Sequence, residues 1–136
     1  MKSRGIRNNN PGNIERNYIK WDGMAEDQSG DDRFIIFESP EWGIRAMVKI
    51  LINYEKIHGL DCIGGIIERW APSSENDTES YIHSVCMALN SGPYEPLNMS
   101  DPETLATLAK AIIRHENGSQ PYDNDVVAEG VRRALL

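Results

Sequence analysis

The sequence is short of the features that mark several functional classes. It has no long apolar run, so no membrane-spanning helix is expected. It has only two cysteines, Cys62 and Cys86, without the number or spacing of a zinc site or disulfide framework; they read as buried helix thiols or as one bridge. Cations are outnumbered, 14 Lys and Arg against 21 Asp and Glu, and a formal charge of −7 argues against tracking along a phosphate backbone, which needs clustered Lys and Arg. Nucleic acid is therefore not an expected partner. The histidines His58, His83 and His115 stand at no metal-ligand spacing, and no metal or other cofactor is expected. A glycine-rich phosphate loop and a Ser-His-Asp order are also missing. From Lys2 and Arg4 the chain runs directly into Arg7-Asn8-Asn9-Asn10 with no apolar stretch between, so no secretory signal is visible and export would need another route.

What is present fits one domain over residues 1–136. A chain of that length, 40% apolar and 26% charged, buries roughly two thirds of its unfolded surface and needs no staples. The predicted class is mainly α, with about five helices and a small β element near the N-terminus. Residues 1–38 are rich in Asn, Gly and Asp, and Arg33 to Phe37 is the one clear strand candidate. Ser39-Pro40-Glu41 then opens a long helix carrying Ile44, Met47, Val48, Leu51 and Tyr54, which Gly59 stops. Asp61 caps a second, short helix with Ile63, Ile66, Ile67 and Trp70, and a third begins near Asn76 or Asp77. Ser100-Asp101-Pro102-Glu103 reads as a capping box with a first-turn proline, opening a helix from Asp101 to about Asn117. A last helix runs from about Asn124 to Ala134.

Three stretches carry chemistry. In Arg7-Asn8-Asn9-Asn10-Pro11-Gly12-Asn13, amide donors and acceptors are dense, proline fixes one φ, and Gly12 is free to take a positive one. The run is either a surface turn or one wall of a site. On the fourth helix, Leu105, Leu108, Ala109, Ile112 and Ile113 form an apolar stripe whose next position is Glu116. A carboxyl aimed at the core edge, near the negative end of the helix dipole, is pushed toward its protonated form, and a protonated Glu is a general acid. A plain frayed helix end before Gly118 is the competing reading. Arg69-Trp70-Ala71-Pro72-Ser73-Ser74 through Asn76, Thr78 and Tyr81 mixes aromatic, amide and hydroxyl groups, which suits sugar rings; Trp70 and Tyr81 read equally as core.

Taken in order, the Asn8 to Asn13 turn, Trp21-Asp22-Gly23, Phe34-x-x-Phe37, the Ser39 helix, Trp70-Ala71-Pro72 and Tyr81 resemble the lysozyme-like superfamily of phage proteins and, more distantly, bacterial wall glucosaminidases. Ala111 to Gly118 resembles the helix end that bears the catalytic Glu in lysozymes and lytic transglycosylases. There the Glu helix precedes the Asn-containing loop, whereas here it follows, so the order reads as circularly permuted. This arrangement requires the Asn8 to Asn13 backbone to lie against the end of the Glu116 helix.

The resemblance implies cleavage of peptidoglycan glycan strands, as a muramidase or lytic transglycosylase, with Glu116 as acid. It further implies substrate contacts from Asn10, Asn13, Trp21, Trp70, Asn76, Tyr81 and Asn117. A second carboxylate would come from Asp22, Glu26, Asp27, Asp31 or Asp32, with Glu26 and Asp27 carried forward; the sequence singles out none of the five. Other virion proteins are further expected partners. The acidic charge, which opposes free approach to an anionic wall, suits a virion component or a host-cytoplasmic lysis protein acting in the periplasm. A catalytically silent virion or glycan-binding protein is the alternative, and a cytosolic interaction module a third.

Overall fold

The computed structural model describes residues 2–74 and 76–136. Six helices occur among them: α1 (Arg4–Arg7), α2 (Pro40–His58), α3 (Ile63–Trp70), α4 (Thr78–Leu89), α5 (Pro102–Asn117) and α6 (Asn124–Leu135). The fold is mainly α, as the periodicity implies. None of these helices is long and apolar enough to cross a membrane.

The helix ends follow local chemistry. Proline stands at the start of α2 and α5, where its missing N–H costs nothing, and Gly59 and Gly118 close the two helices in the left-handed region, at φ 67° and 76°. The capping box is not what starts α5. Asp101 is the cap, accepting from the Thr104 N–H at 3.1 Å and the Thr104 hydroxyl at 2.8 Å, while the Ser100 hydroxyl turns back to Asn98. A carboxylate beside the positive helix end outcompetes a neutral hydroxyl for the same amide.

The core is built from the inner stripes of α2 to α6. Ile44, Met47, Val48 and Leu51 of α2 and Leu105, Leu108, Ile112 and Ile113 of α5 are fully buried, with Ile63, Ile66 and Ile67 of α3 and Val127 and Val131 of α6 in the same cluster. A smaller cluster of Ile35, Phe37 and Ala46 lies under Trp21, Met24 and Trp42. The Arg33 to Phe37 strand is reduced to two isolated antiparallel bridges, Glu15 to Phe34 and Met24 to Phe37. Its amides and carbonyls are shared among Ile14, Arg16, Ala25 and Asn8, so no single neighbour builds a ladder.

The asparagine run holds this N-terminal lobe together. Asn9 and Asn13, at φ 53° and 52°, take the left-handed turns expected of Gly12. Gly12 is needed instead for space, since a Cβ there would lie 3.1 Å from the Trp70 ring. Likewise a Cβ on Gly43 would sit 1.8 Å from the Asn9 carbonyl oxygen, so α2 can dock on this loop only through glycine. Asp31 is the lobe's electrostatic anchor: Arg4 donates twice at 2.7 Å, the Asn8 amide at 2.8 Å, and the backbone N–H groups of Arg33 and Phe34 at 2.9 and 2.8 Å. Chiefly because of Arg4, its carboxyl lies far below the usual range.

Candidate active site

Glu116 reaches its position because the α5 stripe ends on it, one turn beyond the buried Ile112 and Ile113. The side chain is half-buried, and both of its oxygens accept hydrogen bonds. The Tyr81 hydroxyl donates to Oε2 at 2.9 Å and the Asn13 amide to Oε1 at 3.2 Å. Tyr81 is 1% exposed, and burial, with the Glu116 charge second, pushes its hydroxyl far above the ordinary range, so it stays a donor. The His115 ring stacks on the Tyr81 ring, with centroids 3.7 Å apart, and pairs with Glu116 in no hydrogen bond. Helix α4 thus supplies the clamp, α5 the carboxylate, and the asparagine run the second donor.

Glu116 opens onto a groove of about 550 Å³ lined also by Asn13, Glu15, Arg33, Phe34 and Tyr54, with Trp70 and Asn76 among its other walls. Tyr54 and Trp70 meet edge to face at 6.3 Å and give the groove a continuous aromatic side. Asn76 belongs to the turn before α4, which the Thr78 hydroxyl closes onto the Ala71 carbonyl at 2.6 Å; Glu75 of that turn lies outside the described residues. An open groove with an aromatic wall, amides and a held carboxylate can stack sugar faces, bond their rims and deliver a proton to an oxygen between two rings.

The asparagine run lies against the α5 end: besides the Asn13 bond, the Asn117 amide donates to the Pro11 carbonyl at 2.8 Å. Asn13, Trp70, Asn76 and Glu116 gather at the groove, and Tyr81 stands behind Glu116 as its clamp.

Several expected site residues lie elsewhere. Asn10, fully buried, donates to the Ile14 and Ile35 carbonyls and accepts from the Ile14 N–H, which leaves nothing for a ligand. Asn117 is spent likewise on Pro11, Ile113 and the Ser3 hydroxyl. Trp21 packs on the small apolar cluster and does not line the groove. Glu26 and Asp27 are exposed outside it, and Asp27 is engaged by Ser29, because the chain from Trp21 to Asp32 folds onto its own turns. Asp22 pairs with Arg45, and both Asp31 and Asp32 pair with Arg4. Sequence reasoning missed Glu15, Arg33 and Tyr54 as groove residues. The one available signal was spacing, since Glu15 stands two positions from Asn13 and shares its side if the segment is extended.

Cys62, not Asp61, stands at the cap position of α3 and Cys86 lies within α4; both are half-buried and free, neither fully buried nor bridged. Burial, aided by Glu95, raises the Cys86 thiol.

No family model matches the chain. Over 131 residues it is 42% identical to Protein P5 of Pseudoalteromonas phage PM2, a match that covers 94% of this chain and 79% of that protein. With identity of that order across nearly its whole length, the chain belongs to the family of this phage protein.

Proposed function

We propose that the protein cleaves the glycan strand of bacterial peptidoglycan, with Glu116 as the general acid. The observation that carries this reading is a half-buried carboxylate held at both oxygens, by Tyr81 and Asn13, on the side of an open aromatic and amide-lined groove. Protonating the glycosidic oxygen as its bond to the anomeric carbon stretches avoids expelling an alkoxide from an oxocarbenium-like state. Tyr81 and Asn13 fix the carboxyl so that its proton meets that oxygen, and Trp70 and Tyr54 supply faces on which pyranose rings stack. The resemblance to a permuted lysozyme-like domain adds to this reading, because the asparagine loop packs beside the acid as that resemblance requires.

The phage family fits an enzyme carried in the virion or made in the infected cell and released to act in the periplasm. A second reading, a silent virion component, draws on Tyr18, which is 95% exposed beside the partly exposed Ile19 in the N-terminal lobe and suits contact with another virion protein.

Purified sacculi incubated with wild type and with Glu116→Gln separate the two. Clearing and muropeptide release by the wild type, reduced about 10²- to 10⁴-fold in the variant, are expected of a general acid. Equal rates would refute the Glu116 assignment. Sedimentation onto sacculi without release by either protein would favour the silent component.

A further inference from the structure

Delivery of a proton by Glu116 leaves the other half of the reaction without an agent. The five acids between residues 22 and 32 do not line the groove. Among the described residues, its acids are Glu116 and Glu15. We propose that Glu15 is the second carboxylate of the site and acts as general base on the attacking water, so that the reaction is an inverting hydrolysis; this rests on the reading of Glu116 as acid.

Three observations point this way. First, the chain register aims Glu15 at the groove: its neighbour Ile14 packs into both apolar clusters, and the bridge to Phe34 fixes the segment as extended there. Second, Arg33 grips the side chain asymmetrically. Its Nε donates to Glu15 Oε1 at 2.7 Å and its Nη2 contacts the same oxygen, while Oε2 has no protein partner among the described residues. The guanidinium thereby orients the carboxylate and leaves one oxygen to accept from water.

Third, Glu15 and Glu116 line the same open groove, which admits water between its walls. Inversion requires the two carboxyls to stand roughly 6.5 to 9.5 Å apart, with a water between base and sugar.

The step balances. The Glu116 proton moves to the glycosidic oxygen as the bond from that oxygen to the anomeric carbon breaks. The water oxygen bonds to that carbon from the opposite face, and Glu15 Oε2 takes the water proton. One water is consumed, two sugar hydroxyls appear, and the two carboxyls exchange protonation states before solvent resets them. A transglycosylase would instead use the substrate's own hydroxyl and leave an anhydro end.

Sacculi are digested in isotopically labelled water by wild type, Glu15→Gln, Glu15→Ala and Glu116→Gln. The fragments are read by mass, and the first-formed anomer by NMR. The wild type should place one labelled oxygen at each new reducing end and release the inverted anomer. Glu15→Gln should be slower by about 10²- to 10⁴-fold with an unchanged melting temperature, and added azide should partly restore the rate of Glu15→Ala. Anhydro ends or a retained anomer from the wild type, or full rate in Glu15→Gln beside an inactive Glu116→Gln, would overturn the role of Glu15 alone. An inactive wild type, or full rate in Glu116→Gln, would overturn the underlying reading.

Discussion

Substituting Asn10 by Ala separates an asparagine that builds the lobe from one that serves the groove. The Asn10 side chain is fully buried and bonds three backbone groups. The Ile14 carbonyl would survive its loss, because the Ile35 N–H also donates to it at 3.0 Å. The Ile14 N–H and the Ile35 carbonyl would each lose their protein partner. At about 1–3 kcal/mol for each buried group left unpaired, the expected loss is about 4 kcal/mol. An unfolding entropy of about 2.1 cal/mol/K per residue makes each kcal/mol worth about 3–4 °C in a chain of this size, so the melting temperature should fall by about 14 °C.

Asn13→Gly is the control. Glycine keeps the positive φ of that residue at little cost, and the Asn13 side-chain oxygen Oδ1 that it removes is already buried without a partner, so stability should drop by about 1 kcal/mol or less. Its activity on sacculi should nevertheless fall, because Glu116 Oε1 loses its donor. Thermal melts followed by circular dichroism, beside sacculus digestion, check both variants. An Asn10→Ala protein that melts with the wild type would refute the claim that this amide is structural.

Tyr81→Phe should keep the His115 stack and most of the stability, costing about 0.5–1.5 kcal/mol for the lost hydrogen bond, while muropeptide release drops at least tenfold; wild-type release would remove Tyr81 as the clamp. Acid should unfold the protein partly through Asp31. Its folded carboxyl titrates far below the ordinary value near 4, so its stabilisation is complete above about pH 4–5 and is lost as the pH falls from there. Asp31→Asn should therefore melt lower at neutral pH and lose less on acidification than the wild type. Some acid dependence should survive in it, because Glu129, bonded by Arg132 and Arg133, is held down to about 2. Parallel melting curves from pH 7 to 3 would contradict the Asp31 account.

Local signals were enough for α2 to α6 but not for the one-turn α1, which lies in the N-terminal stretch read as loops and a small β element. Residues such as Pro40, Asp77, Pro102, Gly59 and Gly118 act within one turn of their own position, and the stripe from Leu105 to Ile113 follows from a period set by backbone geometry. The same stripe made Glu116 legible, since its place on α5 depends on nothing beyond the helix. The asparagine run was legible as unusual but not as divided: Asn8 and Asn10 serve the lobe, and Asn13 serves the groove. The strand was overread because alternation in Arg33 to Phe37 says nothing about whether a neighbour offers a continuous edge.

By itself, then, the sequence determined helices α2 to α6, most of their ends and the position of one carboxylate at a helix terminus, all consequences of contacts a few residues long. Tertiary structure alone decided what stands around that carboxylate. Tyr81 and Asn13 lie 35 and 103 positions from Glu116, and no periodicity relates them. It also decided that Glu15, and none of the five acids between Asp22 and Asp32, shares the groove. Ion pairs and turns consume most of those five in the N-terminal lobe, and that allocation depends on which cations and amides the folded chain brings within reach.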